Sequence, residues 1–186
     1  MRPLLLVILM TVGSASVKAG VLNLRGIDIG DSCDLVAFTE VARGGNAAPT
    51  NQTAAYGSLL YTDSSVAGQV TQVLYGCFGD YGLAKVERYS ITVSTTDADG
   101  ARKAYVTAKA AVVARLGAPA LDSDQLNPAD KKAFDAVPGG PRALSSWNGP
   151  NAYIIHVSLQ QSANSSAWTV VTAVAPPSAI ATPKQG

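Results

Sequence analysis

One histidine and three regularly spaced aspartates are the residues of this 186-residue chain whose chemistry could support catalysis. His156 is the only histidine, so any serine or cysteine nucleophile would need it as a base. No Gly-x-Ser-x-Gly elbow accompanies it, and its alternating surroundings place it on the solvent side of a strand. Asp28, Asp31 and Asp34 could act as acids or bind calcium, but the glycine and terminal glutamate of an EF-hand loop are missing. The sequence therefore predicts a non-enzymatic protein with no catalytic residue, cofactor or metal, and leaves an extracytoplasmic hydrolase as the alternative.

The two cysteines, Cys33 and Cys77, indicate a covalent link between distant parts of the chain. A metal pair or a redox pair would need closer spacing or further ligands, and one histidine supplies almost none. In an oxidising compartment an even pair forms a disulfide. We therefore predict a Cys33–Cys77 disulfide.

Two aromatic residues at predicted turns are the candidate binding residues. Tyr81 lies in a Gly-Asp-Tyr-Gly turn, and Trp147 comes directly before an Asn-Gly-Pro-Asn turn. Aromatic side chains at such positions are enriched in protein-binding surfaces, although they also serve as ordinary core or lid residues. The sequence predicts a binding surface that includes Tyr81 and Trp147.

The first nineteen residues have the three parts of a secretory signal peptide. Arg2 supplies the positive start, Leu4–Val12 the apolar centre, and Val17 and Ala19 the small-residue cleavage site. The apolar centre is shorter than the ~20 residues of a membrane-spanning helix, so a retained anchor is the weaker interpretation. A periplasmic or secreted protein with no integral membrane segment after cleavage is expected.

Composition restricts the partners of the mature chain. The net charge of the whole sequence is +1 and charged residues make up 15% of it, with no basic stripe. Nucleic acid and anionic membrane surfaces are therefore not expected as partners. Another extracytoplasmic protein is the expected partner.

Two main helices and one short helix are predicted from apolar periodicity and capping residues. The first begins at Asp31 or Ser32 and runs to about Arg43, where two glycines end it. The second covers Ala101–Leu116, and a short third helix is capped by Asn127. The residues expected on the inward face of the first helix are Cys33, Val36, Ala37 and Val41.

Alternating residues predict antiparallel strands, and residues 46 to 55 are expected to form a loop. The predicted strands are Ser58–Thr62, Gln69–Phe78, Lys85–Ser94, Leu144–Trp147, Tyr153–Leu159 and Trp168–Val174. The expected fold is α+β, with two helix-plus-antiparallel-strand halves that form a mostly antiparallel sheet packed by two main helices. The expected boundaries are a signal peptide at 1–19, one domain at 20–175 with possible halves 20–95 and 96–175, and a disordered tail at 176–186.

Short motifs at the helix ends are shared by the two halves. Val41-Ala42-Arg43-Gly44 is echoed by Val113-Ala114-Arg115-Leu116-Gly117, and Gly26–Gly30 and Leu116–Pro119 provide a glycine-rich start and a Leu-Gly-x-Pro end. With its order of elements, the chain resembles the tandem α-βββ repeat of β-lactamase-inhibitor-like proteins and of small outer-membrane-lipoprotein domains. It differs from them in having a single cysteine pair and no lipidated cysteine. The resemblance implies an inhibitor, immunity or assembly role through protein binding, and it assigns no functional residue.

Overall fold

The computed structural model describes residues 25–48, 56–63, 68–79, 83–163 and 165–176. The predicted signal peptide and the predicted tail from residue 177 onward lie outside these ranges. The described chain contains three α-helices and eight strands, with short 3₁₀ turns at Ser123–Gln125 and Pro150–Ala152. The helices are α1 (Cys33–Ala42), α2 (Ala98–Leu116) and α3 (Pro128–Asp135). The strands are β1 (Asn46–Ala48), β2 (Tyr56–Asp63), β3 (Gln69–Phe78), β4 (Lys85–Thr95), β5 (Leu121–Asp122), β6 (Ala143–Asn148), β7 (Ile154–Gln161) and β8 (Trp168–Ala175).

All eight strands belong to one antiparallel sheet with the order β1-β2-β3-β4-β8-β7-β6-β5. The strands that follow α1 form one side of the sheet, and the strands that follow α2 form the other side in reverse order. The two sides meet where β4 pairs with β8, in a register that places Tyr89 opposite Val174. This arrangement is the predicted α+β fold with a mostly antiparallel sheet.

The core lies on the face of the sheet that α1 and α2 cover. Residues that lie opposite one another in neighbouring strands share a face, and the register links Tyr75 to Tyr89, Val174, Ile155 and Trp147 across five strands. All five side chains are buried. We call this side the core face and the opposite side, on which neither α1 nor α2 packs, the far face.

Capping residues explain where the helices begin. The side chains of Ser32, Asp97 and Asn127 accept backbone N–H groups at the starts of α1, α2 and α3. The capping of the third helix by Asn127 is confirmed, and α2 begins three residues earlier than predicted because Asp97 provides the cap. Gly44, with a φ of 82°, follows the end of α1 as expected.

Two predictions of local structure are wrong. Asn46–Ala48, expected in a loop, forms β1 and pairs with Leu60–Thr62 of β2. The strand is three residues long, too short to show an alternating pattern. Val41, expected on the inward face of α1, is 61% exposed, because the inward position is taken by Glu40.

Candidate functional site

The N-terminal end of α1 is joined covalently to the sheet. Cys33, the first residue of the helix, forms a disulfide with Cys77 of β3, and their Cα atoms are 6.2 Å apart. This confirms the predicted pairing. The backbone N–H of Cys33 also donates to the carbonyl of Ala84, so the helix start is held by the β3–β4 hairpin as well.

The C-terminal half of α1 is fixed by a buried ion pair. The Glu40 carboxylate is completely buried, and Arg25 approaches it with both sides of its guanidinium: Nε lies 3.0 Å from Oε1, and a terminal nitrogen lies 2.8 Å from Oε2. The phenol of Tyr75 in β3 donates a third hydrogen bond, 2.6 Å long, to Oε1. A bidentate arginine with a third donor satisfies a carboxylate that burial alone would strongly disfavour.

The ionisation of this cluster follows from its contacts. Burial alone would raise the pKa of Glu40, but the hydrogen bonds from Arg25 and Tyr75 outweigh burial and hold that pKa below the ordinary glutamate value. Burial and the hydrogen bond to Glu40 raise the pKa of Tyr75, so its phenol keeps its proton. Glu40 is therefore a charged anchor at neutral pH rather than an acid poised to exchange a proton.

A second buried carboxylate holds α2 to its side of the sheet. Asp122 in β5 receives a 2.8 Å hydrogen bond from Lys109 of α2 and a 3.1 Å hydrogen bond from the Ser145 hydroxyl. The Ser145 Oγ also lies 2.9 Å from the phenol oxygen of Tyr105. Burial would raise the pKa of Asp122, but the Lys109 hydrogen bond and its other donors lower it overall. Ser145 has no exposed surface, so this lysine–serine cluster stabilises packing and offers no nucleophile to a substrate.

The outer side of α1 carries large apolar residues that no described element covers. Leu35, Phe38 and Val41 are spaced by three, which places them along one side of the helix, and they are 44%, 75% and 61% exposed. The completely buried residues of the helix, Val36 and Glu40, lie on the opposite side. We call Leu35, Phe38 and Val41 the outer stripe. The helix thus buries both a valine and a charged residue against the sheet and leaves three large apolar residues facing outward, where an ordinary surface helix is polar.

One further exposed apolar residue lies near the start of the outer stripe. Leu83 is 74% exposed and precedes Ala84, whose carbonyl accepts the N–H of Cys33. This hydrogen bond places Leu83 beside the N-terminal end of α1. Apolar residues gathered in this way on a surface are typical of a protein-interaction site.

The two predicted binding residues are not brought together in the described structure. Tyr81 lies outside the described residues. Trp147 is only 2% exposed, and its indole N–H donates to the carbonyl of Gly117, 2.9 Å away. The prediction that Trp147 lies on a binding surface is therefore corrected, because this side chain packs in the core and anchors the end of α2.

His156 lies on the far face, opposite the core, as its place in the alternation predicts. It is half-buried rather than exposed, and burial lowers its pKa below the ordinary histidine value. Its neighbours in the register are Ser146 of β6 and Ala173 of β8. No aspartate or glutamate occupies a far-face position in these three strands, so the pairing of His156 with Ser146 lacks the orienting carboxylate of a catalytic triad.

The three spaced aspartates serve the turn that leads into α1. Asp31 accepts the backbone N–H of Asp28 at 2.7 Å, and Asp28 accepts the N–H of Ile29 at 2.8 Å. Asp34 lies exposed in the first turn of α1, where its charge is favourable at the positive end of the helix. In the part of the chain that the structure describes, no group of three or more histidine, cysteine, aspartate or glutamate side chains is placed to hold a metal ion.

A groove of about 470 Å³ runs between α2 and the sheet. Its lining includes the small residues Ala104 and Ala108 of α2 and the aliphatic residues Ile91, Val93 and Val170 of the sheet. Among the described residues of its lining, Lys103 is the one titratable side chain, so no described acid and base converge there. The groove has the apolar character of a packing surface rather than the polar groups of an active site.

Comparisons with known proteins provide no family for this chain. No protein-family model matches the sequence, and neither a curated protein nor a solved structure matches it. Among the helices in the described ranges, none is both long and apolar enough to cross a membrane. The candidate site therefore rests on the geometry of α1 and its anchors.

Sequence reasoning identified the disulfide but not the outer stripe. The pattern of α1 contains apolar residues on both sides, so periodicity alone cannot tell which side faces the sheet. Two signals could have decided it: Cys33, which the disulfide turns toward β3, and Glu40, which pairs with Arg25 fifteen positions away.

Proposed function

We propose that this protein is an exported, non-enzymatic protein that binds another extracytoplasmic protein through the outer stripe of α1. The single observation that carries the proposal is the exposed apolar outer side of this helix. Burial of a large apolar side chain contributes about 1.5–3 kcal/mol of free energy. Leu35, Phe38 and Val41 are exposed in the free protein, so a partner that buries all three gains this free energy on binding.

The spacing of the outer stripe indicates how the partner is engaged. Anchors three or four positions apart on one side of a helix are typical of helices that dock into apolar grooves. Leu35, Phe38 and Val41 provide this spacing, and Phe38, at the centre, is the most exposed. The partner we propose is therefore a protein with an apolar groove complementary to one helix face.

The anchors of α1 favour binding because they fix the helix before a partner arrives. The disulfide at Cys33 holds one end, and the Glu40 cluster holds the other. A helix that is already ordered loses less conformational entropy on association than a flexible segment would. We infer that these two attachments, together with the buried Val36, hold the helix without the outer stripe, which leaves the apolar residues of that stripe available to the partner.

Export is supported by the signal-peptide pattern of residues 1–19 and by the disulfide, because disulfides persist in oxidising compartments. The resemblance to inhibitor-like tandem domains supports a binding role of the inhibitor, immunity or assembly kind. The hydrolase alternative gains no support from His156 or the aspartates, whose described contacts are those of packing and turn formation.

Site-specific photo-crosslinking in the native compartment tests the proposal. A photoreactive phenylalanine analogue is placed at position 38, and the same analogue at position 106 is the control, because Val106 is also a highly exposed helix residue (57%) but lies on α2. We expect one discrete adduct with a second protein from position 38 and none from position 106. Adducts of equal yield from both positions, or an adduct that contains only a second copy of this chain, would contradict the proposal.

A further inference from the structure

On the far face of the sheet, β3 has a position without a side chain, because residue 76 is a glycine. Gly76 lies between Leu74 and Phe78 on this face, and it is paired with Ser58 of β2 and Arg88 of β4. The register between β3 and β4 shifts immediately after Gly76, so that β4 contains one extra residue, Glu87. Bulges of this kind change the direction of a neighbouring side chain.

Arg88 occupies the space above Gly76. A Cβ atom added at position 76 would lie 2.6 Å from Cγ and 2.7 Å from Nε of Arg88. The guanidinium carbon of Arg88 lies 5.3 Å from the centre of the Phe78 ring. Glycine at 76 and the aromatic ring at 78 therefore favour a position of the exposed Arg88 side chain along the sheet surface.

A pocket of about 110 Å³ opens beside this arginine. Its lining includes the hydroxyl-bearing residues Ser58 and Ser90 and the small residues Ala173 and Ala175, together with Gly76 and Arg88. The pocket is large enough for a small planar group such as a carboxylate. Its described lining is mostly apolar, with two serine hydroxyls and the guanidinium of Arg88 as its polar side-chain groups.

The charge of Arg88 is not compensated within the described structure. Arg88 belongs to none of the ion pairs formed among the described residues. No aspartate or glutamate occupies an alternating far-face position in β2, β3, β4 or β8. Glu87, the extra residue of the bulge, forms no ion pair with it, and the charge of Glu87 acts on Tyr153.

We propose that the Arg88–Gly76 pocket is a binding site for a carboxylate, supplied either by the C-terminus of a peptide or by an acidic side chain. An arginine fork matches a carboxylate with two parallel hydrogen bonds, and an arginine already fixed by its neighbours gives this match at a smaller entropic cost. Ser58 and Ser90 supply neutral hydroxyl donors beside it. The site lies on the opposite side of the sheet from α1 and is independent of the outer stripe.

The site is tested by titrating the ¹⁵N-labelled protein with acetate at constant ionic strength. The amide chemical shifts are measured at each acetate concentration. We expect saturable shifts centred on Gly76, Arg88 and Ser90, and binding weakened about tenfold or more in Arg88→Gln. Gly76→Ala should weaken binding similarly, since the added methyl group displaces the arginine. Arg102→Gln, which removes an exposed arginine of α2, is the matched control and should bind as the wild type does.

Three peptide arms distinguish the sources of the carboxylate. One peptide carries a free C-terminus, the second is the same peptide amidated, and the third is amidated but contains an internal glutamate. Preference for the first assigns a chain terminus, and preference for the third assigns an acidic side chain. Non-saturable shifts, equal binding of acetate and sulfate, or unchanged binding in Arg88→Gln would each overturn the proposal, and the amide spectrum of each variant verifies that it is folded.

Discussion

The phenol of Tyr75 donates a 2.6 Å hydrogen bond to Oε1 of Glu40, and the carboxylate that accepts it is completely buried. This contact joins the middle of β3 to the inward side of α1. Arg25 completes the cluster by neutralising the same carboxylate. The relationship explains why a helix with exposed Leu, Phe and Val residues stays on the sheet: it is held by a charge and a disulfide instead of by those residues.

Removal of the Glu40 charge should destabilise the protein strongly. Glu40→Gln leaves Arg25 without its carboxylate, and the loss of one partner of a buried ion pair costs about 3 kcal/mol. Urea denaturation of the purified protein measures the change in the free energy of unfolding. Asp34→Asn is the control, because this exposed carboxylate contributes only a few tenths of a kcal/mol through the helix dipole. Equal stabilities of the two variants would contradict the anchoring role of Glu40.

The Glu40 cluster should also make stability depend on acid pH. The pKa of Glu40 is lower in the folded chain than in the unfolded chain, so the unfolded chain binds a proton more readily. The stabilisation is therefore complete above the ordinary glutamate pKa and is lost as the pH falls through the lower folded pKa. We expect the acid limb of a plot of unfolding free energy against pH to be shallower in Glu40→Gln than in the wild type. Parallel acid limbs would show that Arg25 and Tyr75 do not lower the pKa of Glu40 in the folded chain.

His156 should contribute a separate loss of stability just below neutral pH. Burial lowers the pKa of His156 in the folded chain, so the unfolded chain takes up the proton first as the pH falls below the ordinary histidine value. Stability should decrease between that value and the lower folded pKa, and His156→Gln should remove this decrease. An NMR titration of the imidazole carbon-bound protons measures the folded pKa directly, and a value at or above the ordinary one would refute the prediction.

Removal of the disulfide should destabilise the protein and loosen α1 locally. The disulfide closes a separation of 44 residues, for which chain-entropy estimates give a stabilisation of about 4 kcal/mol. A Cys33→Ser, Cys77→Ser double variant should therefore unfold at lower denaturant concentration. Compared with the wild type, the double variant should show a larger acceleration of hydrogen exchange in α1 than in α2, because α2 has its own anchor at Asp122. Equal acceleration in both helices would indicate that the disulfide does not act locally on α1.

Periodicity and capping are sufficient to predict the architecture, because the buried residues of α2 lie on one side of the helix and those of β8 alternate along the strand. The helix start at Asn127 and the alternation around His156 are local signals, and both hold in the structure. The two-residue strand β5 is too short to produce such a signal. Local patterns therefore identify the elements but not the shortest edge strands.

The candidate site was harder to predict because it depends on contacts between distant residues. Val41 and Val36 are equally apolar, and the contacts of Cys33 and Glu40 with distant residues decide that Val41 faces outward. Trp147 precedes a turn, as surface aromatic residues often do, but its indole finds a carbonyl at the end of α2 and the ring enters the core. In both cases the decisive partner is far away in the sequence.

The affinity of a crosslinked partner for variants of the outer stripe tests the central claim most directly. Phe38→Ser removes the most exposed apolar residue of α1, and Val106→Ser removes a comparably exposed residue of α2. We predict that Phe38→Ser weakens binding at least about tenfold, as loss of a buried aromatic anchor does. The unfolding free energy of this variant should stay within about 0.5 kcal/mol of the wild type. The control variant Val106→Ser should bind the partner as the wild type does. Unchanged affinity in Phe38→Ser, or a loss of stability large enough to show that Phe38 is part of the core, would contradict the claim that the outer side of α1 is a binding surface.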